Sequence, residues 1–143
     1  MAGGQALDLE AEGHEADLIA LENIHIHKTG ALIRACVRLG GLCAEEPDKD
    51  RVRRLEHYAA CVGLAFQIRD DVLDVEGSTE VLGKTRGKDA ARAKATYPGL
   101  LGLSGAREKA EHLRSEALQS LESFDAMADP LRHLADYMVG RNR

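Results

Sequence analysis

Apolar residues recur every three to four positions along most of this chain, which is the spacing of amphipathic helices. Residues 18–44 form one such stretch, and residues 50–75 form a second that is predicted to end near Gly77. The same periodicity predicts three further helices, at about residues 90–102, 105–125 and 129–140. The three prolines fall where the periodicity is interrupted. The predicted fold class is therefore all-α, with long helices and brief connections.

The segment 77–89 interrupts the helical pattern and is predicted to be a loop. It is richer in glycine and in basic residues than the rest of the chain, and these residues are Gly77, Gly83, Lys84, Arg86, Gly87 and Lys88. Among the connections in the chain, this one is the best candidate for a functional loop.

The length and the net charge of the chain exclude some classes of function. A chain of 143 residues fits one domain with a hydrophobic core. The net charge is −5 and no long block of lysine or arginine occurs, so nucleic acid is not an expected partner. The apolar runs are far shorter than the ~20 residues that span a bilayer, and no signal-peptide pattern opens the chain. We therefore expect a cytoplasmic protein without a membrane span.

The three cysteines are predicted to be reduced. Cys36, Cys43 and Cys61 are odd in number, lack C-x-x-C spacing and fall in apolar helical patterns. Free cysteines in such patterns behave as small buried hydrophobes. We expect all three to be buried and unpaired.

The strongest chemical signal lies near the end of the second helix, from Phe66 to Asp74, in the sequence F-Q-I-R-D-D-V-L-D. At about 100° per residue, Gln67, Asp70 and Asp74 fall on one helical face, with Asp71 beside them. Carboxylates this close repel one another, and they oppose the helix dipole at a C-terminus. A divalent cation would remove the repulsion, because Mg²⁺ prefers carboxylate oxygens together with substrate phosphates. The alternative is a solvated acidic face without a ligand.

The surroundings of these aspartates favour a ligand. Toward the start of the helix the same face carries Ala59, Ala60 and Gly63, which are interpreted as small residues lining an open slot. In the preceding helix, Lys28 lies on one stripe with Leu32. A cation at the end of an apolar stripe suits a ligand with an anionic head and an apolar tail, although a lysine can also extend to water.

Four motifs follow one another along the chain, and they are His27-Lys28-Thr29-Gly30-Ala31-Leu32, Phe66-Gln67-x-x-Asp70-Asp71-x-x-Asp74, Leu82-Gly83-Lys84 and Lys94-Ala95-Thr96-Tyr97-Pro98. Their order and spacing resemble those of the bacterial farnesyl diphosphate synthases, in the family of trans-isoprenyl diphosphate synthases. The resemblance covers essentially the whole chain. It implies an isoprenoid synthase-type helical bundle. The implied activity is a prenyl transfer that joins isopentenyl diphosphate to an allylic diphosphate such as dimethylallyl or geranyl diphosphate, giving farnesyl diphosphate.

The resemblance also implies a role for individual residues. The Mg²⁺ or Mn²⁺ ligands would be Asp70, Asp71, Asp74 and Asp8. The diphosphate would be held by Lys28, Thr29, Lys84 and Lys94, and the polar wall of the pocket would include Gln67 and Gln5. In this reaction the metals and lysines stabilise the negative charge that develops on the leaving pyrophosphate.

The chain departs from the family in one respect. The complete synthases carry another aspartate-rich motif, followed by paired arginines, and neither occurs here. The resemblance therefore implies that residues 1–143 are the carboxyl-terminal half of the domain, that the other half is a missing partner, and that the complete enzyme is a homodimer. We expect the chain alone to be inactive, and we expect the faces bearing Leu32, Leu39, Val62 and Phe66 to lose part of their packing. The alternative is a non-catalytic helical protein that binds diphosphate or regulates a partner.

Overall fold

The computed structural model describes residues 2–10, 17–81 and 95–141, apart from the side chains of Asp8 and residues 78–81. Within these ranges all regular structure is helical and no strand occurs, which confirms the all-α prediction. The α-helices are α1 (Ala2–Glu10), α2 (Leu18–His25), α3 (Ala31–Leu42), α4 (Lys49–Val81), α5 (Tyr97–Ser120) and α6 (Asp129–Gly140). None of the described helices is long and apolar enough to cross a bilayer.

The helix predicted over residues 18–44 is a continuous helical path that contains a π turn. The side chain of Asp17 caps its start by accepting the N–H of Ala20 at 2.8 Å. Between α2 and α3 the turn Ile26–Gly30 is π-helical, and the backbone remains in the right-handed helical region on both sides of it. Single π turns inside helices are frequent at functional sites. Here the π turn carries Lys28 and Thr29.

Helix α4 is longer than predicted, because it continues through Gly77 to Val81. The prediction that the helix ends near Gly77 is therefore wrong. An isolated glycine costs a helix only about 1 kcal/mol relative to alanine. Contacts of Glu76 support the helix at this point, since its carboxylate lies 2.5 Å from Arg107 Nη2 and 3.9 Å from Arg69 Nη1.

Helix α5 begins at a capping threonine and contains one backbone break. Thr96 Oγ1 accepts the N–H of Gly99 at 3.2 Å. Gly102 has φ 72° and ψ 164°, a conformation that favours glycine and separates a short first segment from the longer second one. The break between residues 102 and 105 that the sequence predicted is thus confirmed. The helix ends at Ser120 because Arg132 holds the turn that follows, donating to the carbonyls of Leu121 and Phe124 at 2.7 Å each.

The core lies mainly between α4 and α5. It is aliphatic and rich in alanine, and its buried members include Val62, Ile68, Val72, Ala106, Ala110, Leu113 and Ala117. Tyr58 is buried as well, and its hydroxyl donates to the carbonyl of Leu131 at 2.7 Å, which ties α6 to α4. Val62 is only 3% exposed, so the expectation that its face loses packing is wrong.

Helix α3 has apolar residues on two faces, and only one of them is packed. Ile33 and Val37 pack against the core cluster. On the other face Leu32 is 52% exposed and Leu39 is 63% exposed, as expected for these two residues. Their spacing of seven residues places them on one stripe, which the described part of the chain leaves open to solvent.

The cysteines are free, but only one is buried. Cys36 lies on the outward stripe of α3, and Cys43 caps the end of that helix, so the expectation that both are buried is wrong. Cys61 is 4% exposed in the core. Burial, reinforced by the nearby Glu116 carboxylate, raises the pKa of the Cys61 thiol to about 11.

The cysteines should differ in reactivity. At pH 8 the thiol reagent DTNB should modify Cys36 and Cys43 rapidly, whereas Cys61 should react only after unfolding in urea, because it is buried and protonated. Counting the released chromophore over time measures this directly, and a Cys61→Ser variant identifies the slow thiol. Three equally fast thiols in the folded protein would contradict the packing of α4.

Candidate functional site

One face of α4 carries the residues from which the site is built. Gly63, Gln67, Asp70 and Asp74 are spaced by four, three and four residues, so they form a single stripe along the helix. Gln67 and Asp70 are half-buried, and Asp74 is exposed. The amide and carboxylate groups thus follow Gly63 along the stripe, toward the C-terminal end of the helix.

The π turn packs directly on this stripe. A Cβ built on Gly63 would stand 3.5 Å from Gly30 Cα and 3.4 Å from Ile33 Cδ1. The small residues of α4 therefore allow two helices to approach closely, and the interpretation of Gly63 as the wall of an open slot is wrong. Gly63 precedes Asp70 by seven residues, about 10 Å along the helix. The contact packs the π turn, which carries Lys28 and Thr29, on the α4 stripe that also bears Asp70 and Asp74.

Helix α1 supports the π turn from outside. Gly4 is buried, and a Cβ placed on it would overlap the backbone nitrogen of Lys28. Backbone therefore lies on backbone at this crossing, which only glycine permits. Gln5 is exposed beside this contact. Asp8 lies in the same helix, and its predicted role as a metal ligand falls outside the described side chains.

The side chain of Gln67 contacts a buried histidine. His25 Nδ1 lies 3.2 Å from Gln67 Oε1. The imidazole stacks on the ring of Tyr97, with ring centroids 5.7 Å apart and 23° between the planes. These contacts connect α2, α4 and the start of α5 beneath the polar end of the stripe.

Asp71 faces a different neighbour from the other two aspartates. Its Oδ2 accepts the backbone N–H of Tyr97 at 3.0 Å, so the carboxylate caps the start of α5. Burial raises the pKa of the Tyr97 hydroxyl, and the charges of Glu22 and Asp71 raise it further. One oxygen of Asp71 thus has a partner at a helix N-terminus, and the role of Asp71 as a metal ligand stays a prediction.

Asp70 and Asp74 are the two carboxylates on the stripe, and they could hold a cation. Among the described residues, no three His, Cys, Asp or Glu side chains are arranged to bind a metal ion. Two carboxylates nevertheless suit Mg²⁺, which commonly takes one or two protein carboxylates and completes its shell with water and substrate phosphate. Asp70 now pairs with the guanidinium of Arg141. The donor set fits the metal, with Asp70 already engaged by a cation.

Lys84 and Lys94, the other predicted diphosphate lysines, lie outside the described residues. Sequence reasoning missed the roles of Gly4, His25 and Arg141 at this site. A glycine inside a predicted helix is a signal for close backbone approach, and it could have identified Gly4. No local pattern indicates the long-range contacts of His25 and Arg141.

The family model named polyprenyl synthetase matches residues 1–132 of the chain. Over the whole chain, 53% of residues are identical to the farnesyl diphosphate synthase of Escherichia coli, and the match covers 49% of that protein. A geranylgeranyl pyrophosphate synthase of Arabidopsis thaliana is 46% identical over 99% of the chain and 40% of its own length.

The fold matches a solved structure as well. The geranyltransferase of Helicobacter pylori, in complex with magnesium and isoprenyl diphosphate, superposes with a TM-score of 0.73 at 31% identity. That match covers 98% of the chain and 46% of the other protein. The chain thus spans about half the length of these relatives.

Substitution of Gly4 should disturb the site. Gly4→Ala would drive a methyl group into the backbone of Lys28, so we expect it to lower the free energy of unfolding by about 1–3 kcal/mol, the usual cost of overpacking. The matched control is Gly3→Ala, because a Cβ at Gly3 has no atom within 4 Å. Urea denaturation followed by circular dichroism measures both. Equal stability of the two variants would contradict the packing of α1 on the π turn.

Proposed function

Because the chain belongs to the polyprenyl synthetase family, we propose that residues 1–143 form the carboxyl-terminal part of a prenyltransferase domain. The proposed reaction joins isopentenyl diphosphate to an allylic diphosphate, either dimethylallyl or geranyl diphosphate. The observation that carries the proposal is the joint placement of the π turn and the Asp70 stripe. The π turn that carries Lys28 and Thr29 packs on the stripe of α4 that carries Gln67, Asp70 and Asp74.

Each residue of this face has a chemical task in the proposal. Lys28 and the hydroxyl of Thr29 bind the diphosphate of the allylic substrate, with Lys84 and Lys94 as further cations. Gln67, held by His25, presents its amide to the bound substrate. Asp70 and Asp74 hold Mg²⁺ or Mn²⁺, which when bound supplies positive charge next to the leaving pyrophosphate. Asp71 acts through its hydrogen bond to Tyr97 and positions the start of α5.

The reaction needs no covalent intermediate with the protein. The allylic carbon–oxygen bond breaks, and the electron pair leaves with pyrophosphate, where the cations stabilise it. The double bond of isopentenyl diphosphate supplies the pair for the new carbon–carbon bond. Loss of a proton then gives a product five carbons longer.

Farnesyl diphosphate is the proposed product. The identity of 53% to a farnesyl diphosphate synthase exceeds the 46% to a geranylgeranyl pyrophosphate synthase, and this difference supports the shorter chain. The family resemblance implies that the residues limiting product length lie near the other aspartate-rich motif, which this sequence does not contain. The product is therefore the part of the proposal that rests on similarity alone.

The exposed stripe of α3 supports a missing structural partner. Leu32 and Leu39 are large apolar side chains, and both are more than half exposed on one face of α3. Apolar side chains exposed together in this way commonly mark a surface that binds a partner. We propose that the other half of the domain covers them. The homodimer and the cytoplasmic localisation expected from the sequence stay predictions.

The second candidate function is a non-catalytic protein that binds diphosphate. Both candidates predict ligand binding at Asp70. They differ in whether the chain supports turnover when the other half is supplied.

Calorimetry on the chain tests the binding proposal. Titration with pyrophosphate should show binding that requires Mg²⁺, and Asp70→Asn should weaken it by about tenfold or more, because a metal ligand is lost. The matched control is Asp50→Asn, which removes the same charge from the same helix about 30 Å away. Asp50 is exposed, and its side chain forms an ion pair with the equally exposed Arg53, at 3.3 Å. Equal binding by the Asp70 variant, or binding without Mg²⁺, would contradict the assignment.

A further inference from the structure

The residue that follows α6 is fixed against the aspartate stripe by its backbone. Arg141 donates its N–H to the carbonyl of Tyr137 at 3.0 Å, which closes the last turn of α6. Its own carbonyl accepts two hydrogen bonds from Arg69, at 3.0 Å from Nε and 2.7 Å from Nη2. Arg69 immediately precedes Asp70 in α4, so the Arg141 backbone is held beside the candidate metal ligand.

The side chain of Arg141 makes two contacts with the same turn of α4. Its guanidinium donates to Asp70 Oδ1. The guanidinium carbon lies 4.4 Å from the centroid of the Phe66 ring, within the range of a cation–π contact. Phe66 and Asp70 are four residues apart, so the guanidinium spans one helical turn. The side chain is only 17% exposed.

A guanidinium at this position changes what Asp70 can bind. It occupies one carboxylate oxygen and neutralises the charge that attracts a cation. Mg²⁺ at the same carboxylate would stand within a few ångströms of Arg141, and two positive charges so close repel each other. The cation and Arg141 therefore cannot both bind Asp70 well.

Two observations indicate that the guanidinium can be displaced. The side chain of Asp70 is 42% exposed, so an ion can reach the carboxylate from solvent. Arg141 Nε is buried and has no hydrogen-bond partner within the described ranges, so this position leaves one donor unsatisfied. Release of the side chain would hydrate that donor.

We propose that Arg141 sets the affinity of Asp70 for divalent cations by competing with them for its carboxylate. The inference rests on the proposed role of Asp70 as a metal ligand. It adds Arg141, which follows α6 and lies 71 residues from Asp70 in sequence, as a residue that tunes the site. Metal binding is then coupled to release of the Arg141 side chain from α4.

Manganese binding to the chain tests this coupling without an activity assay. Free Mn²⁺ is measured by electron paramagnetic resonance during titration of the wild type and of four variants. Arg141→Gln removes the competing charge and should tighten Mn²⁺ binding roughly five- to tenfold, somewhat more than the worth of an exposed ion pair. Arg141→Lys keeps the charge and should stay within about twofold of the wild type.

The matched control is Arg107→Gln. It removes an equal charge from a residue that is paired with Glu76 on the same helix, at 2.5 Å. It should leave Mn²⁺ affinity unchanged. Asp70→Asn tests the underlying assignment, because the site itself should then fail to bind Mn²⁺.

A second readout follows the arginine itself. In an NMR titration of the wild type with Mg²⁺, the Nε–H signal of Arg141 should move toward the position of a solvated arginine, while that of Arg107 stays in place. Arg141→Gln identifies the signal, and circular dichroism verifies that each variant is folded. Unchanged or weaker Mn²⁺ binding by folded Arg141→Gln, with Asp70→Asn still abolishing binding, would overturn the competition alone. Full Mn²⁺ binding by Asp70→Asn would overturn the metal assignment and the competition together.

Discussion

The close approach of the π turn to α4 determines the geometry of the whole site. Gly30 and Gly63 allow the two backbones to meet, and Gly4 allows α1 to lie on the Lys28 backbone from the other side. A Cβ on Gly4 would overlap the Lys28 backbone, whereas a Cβ on Gly63 would meet Gly30 and Ile33 at ordinary contact distances. The packing of α1 on the π turn therefore depends most strictly on Gly4.

The polar end of the stripe is organised by contacts that extend across the fold. His25 in α2 forms a hydrogen bond with Gln67. The N-terminus of α5 donates a hydrogen bond to Asp71, and Arg141, which follows α6, donates one to Asp70. Each contact gives a hydrogen-bond partner to one polar group, and those to Asp70 and Asp71 also offset the repulsion between the neighbouring carboxylates. Of the three neighbouring carboxylates, only Asp74 remains fully open to solvent. In the proposed competition, Asp70 binds a metal cation after it releases the guanidinium of Arg141.

Local patterns were enough to predict the helices and the motifs. Apolar periodicity located the path over residues 18–44, the helix from about residue 50, the break near Gly102 and the helix over 129–140. Single-residue signals were weaker. Gly77 does not end α4, because Glu76 is anchored by two arginines, Arg69 at seven and Arg107 at 31 residues away in sequence.

Residues whose role depends on a distant partner could not be predicted. Helical spacing placed Asp71 beside Asp70, but only the fold brings the Tyr97 N–H to it. In the same way, a stripe of small residues indicates either an open slot or a close helix contact, and the position of Gly30 decides between them. Cys36 has apolar neighbours in sequence and is nevertheless exposed, because the outer stripe of α3 has no partner in the described part of the chain.

The central claim is that this chain supplies the metal- and diphosphate-binding half of a condensing prenyltransferase. Its most direct test is a chimera in which the first half of the Escherichia coli farnesyl diphosphate synthase precedes residues 1–143. The assay is condensation of radiolabelled isopentenyl diphosphate with geranyl diphosphate. We expect turnover by the chimera that neither half shows alone and that Asp70→Asn lowers by a factor of about 10² or more. A chimera that is helical, unfolds cooperatively and yet shows no turnover would contradict the claim.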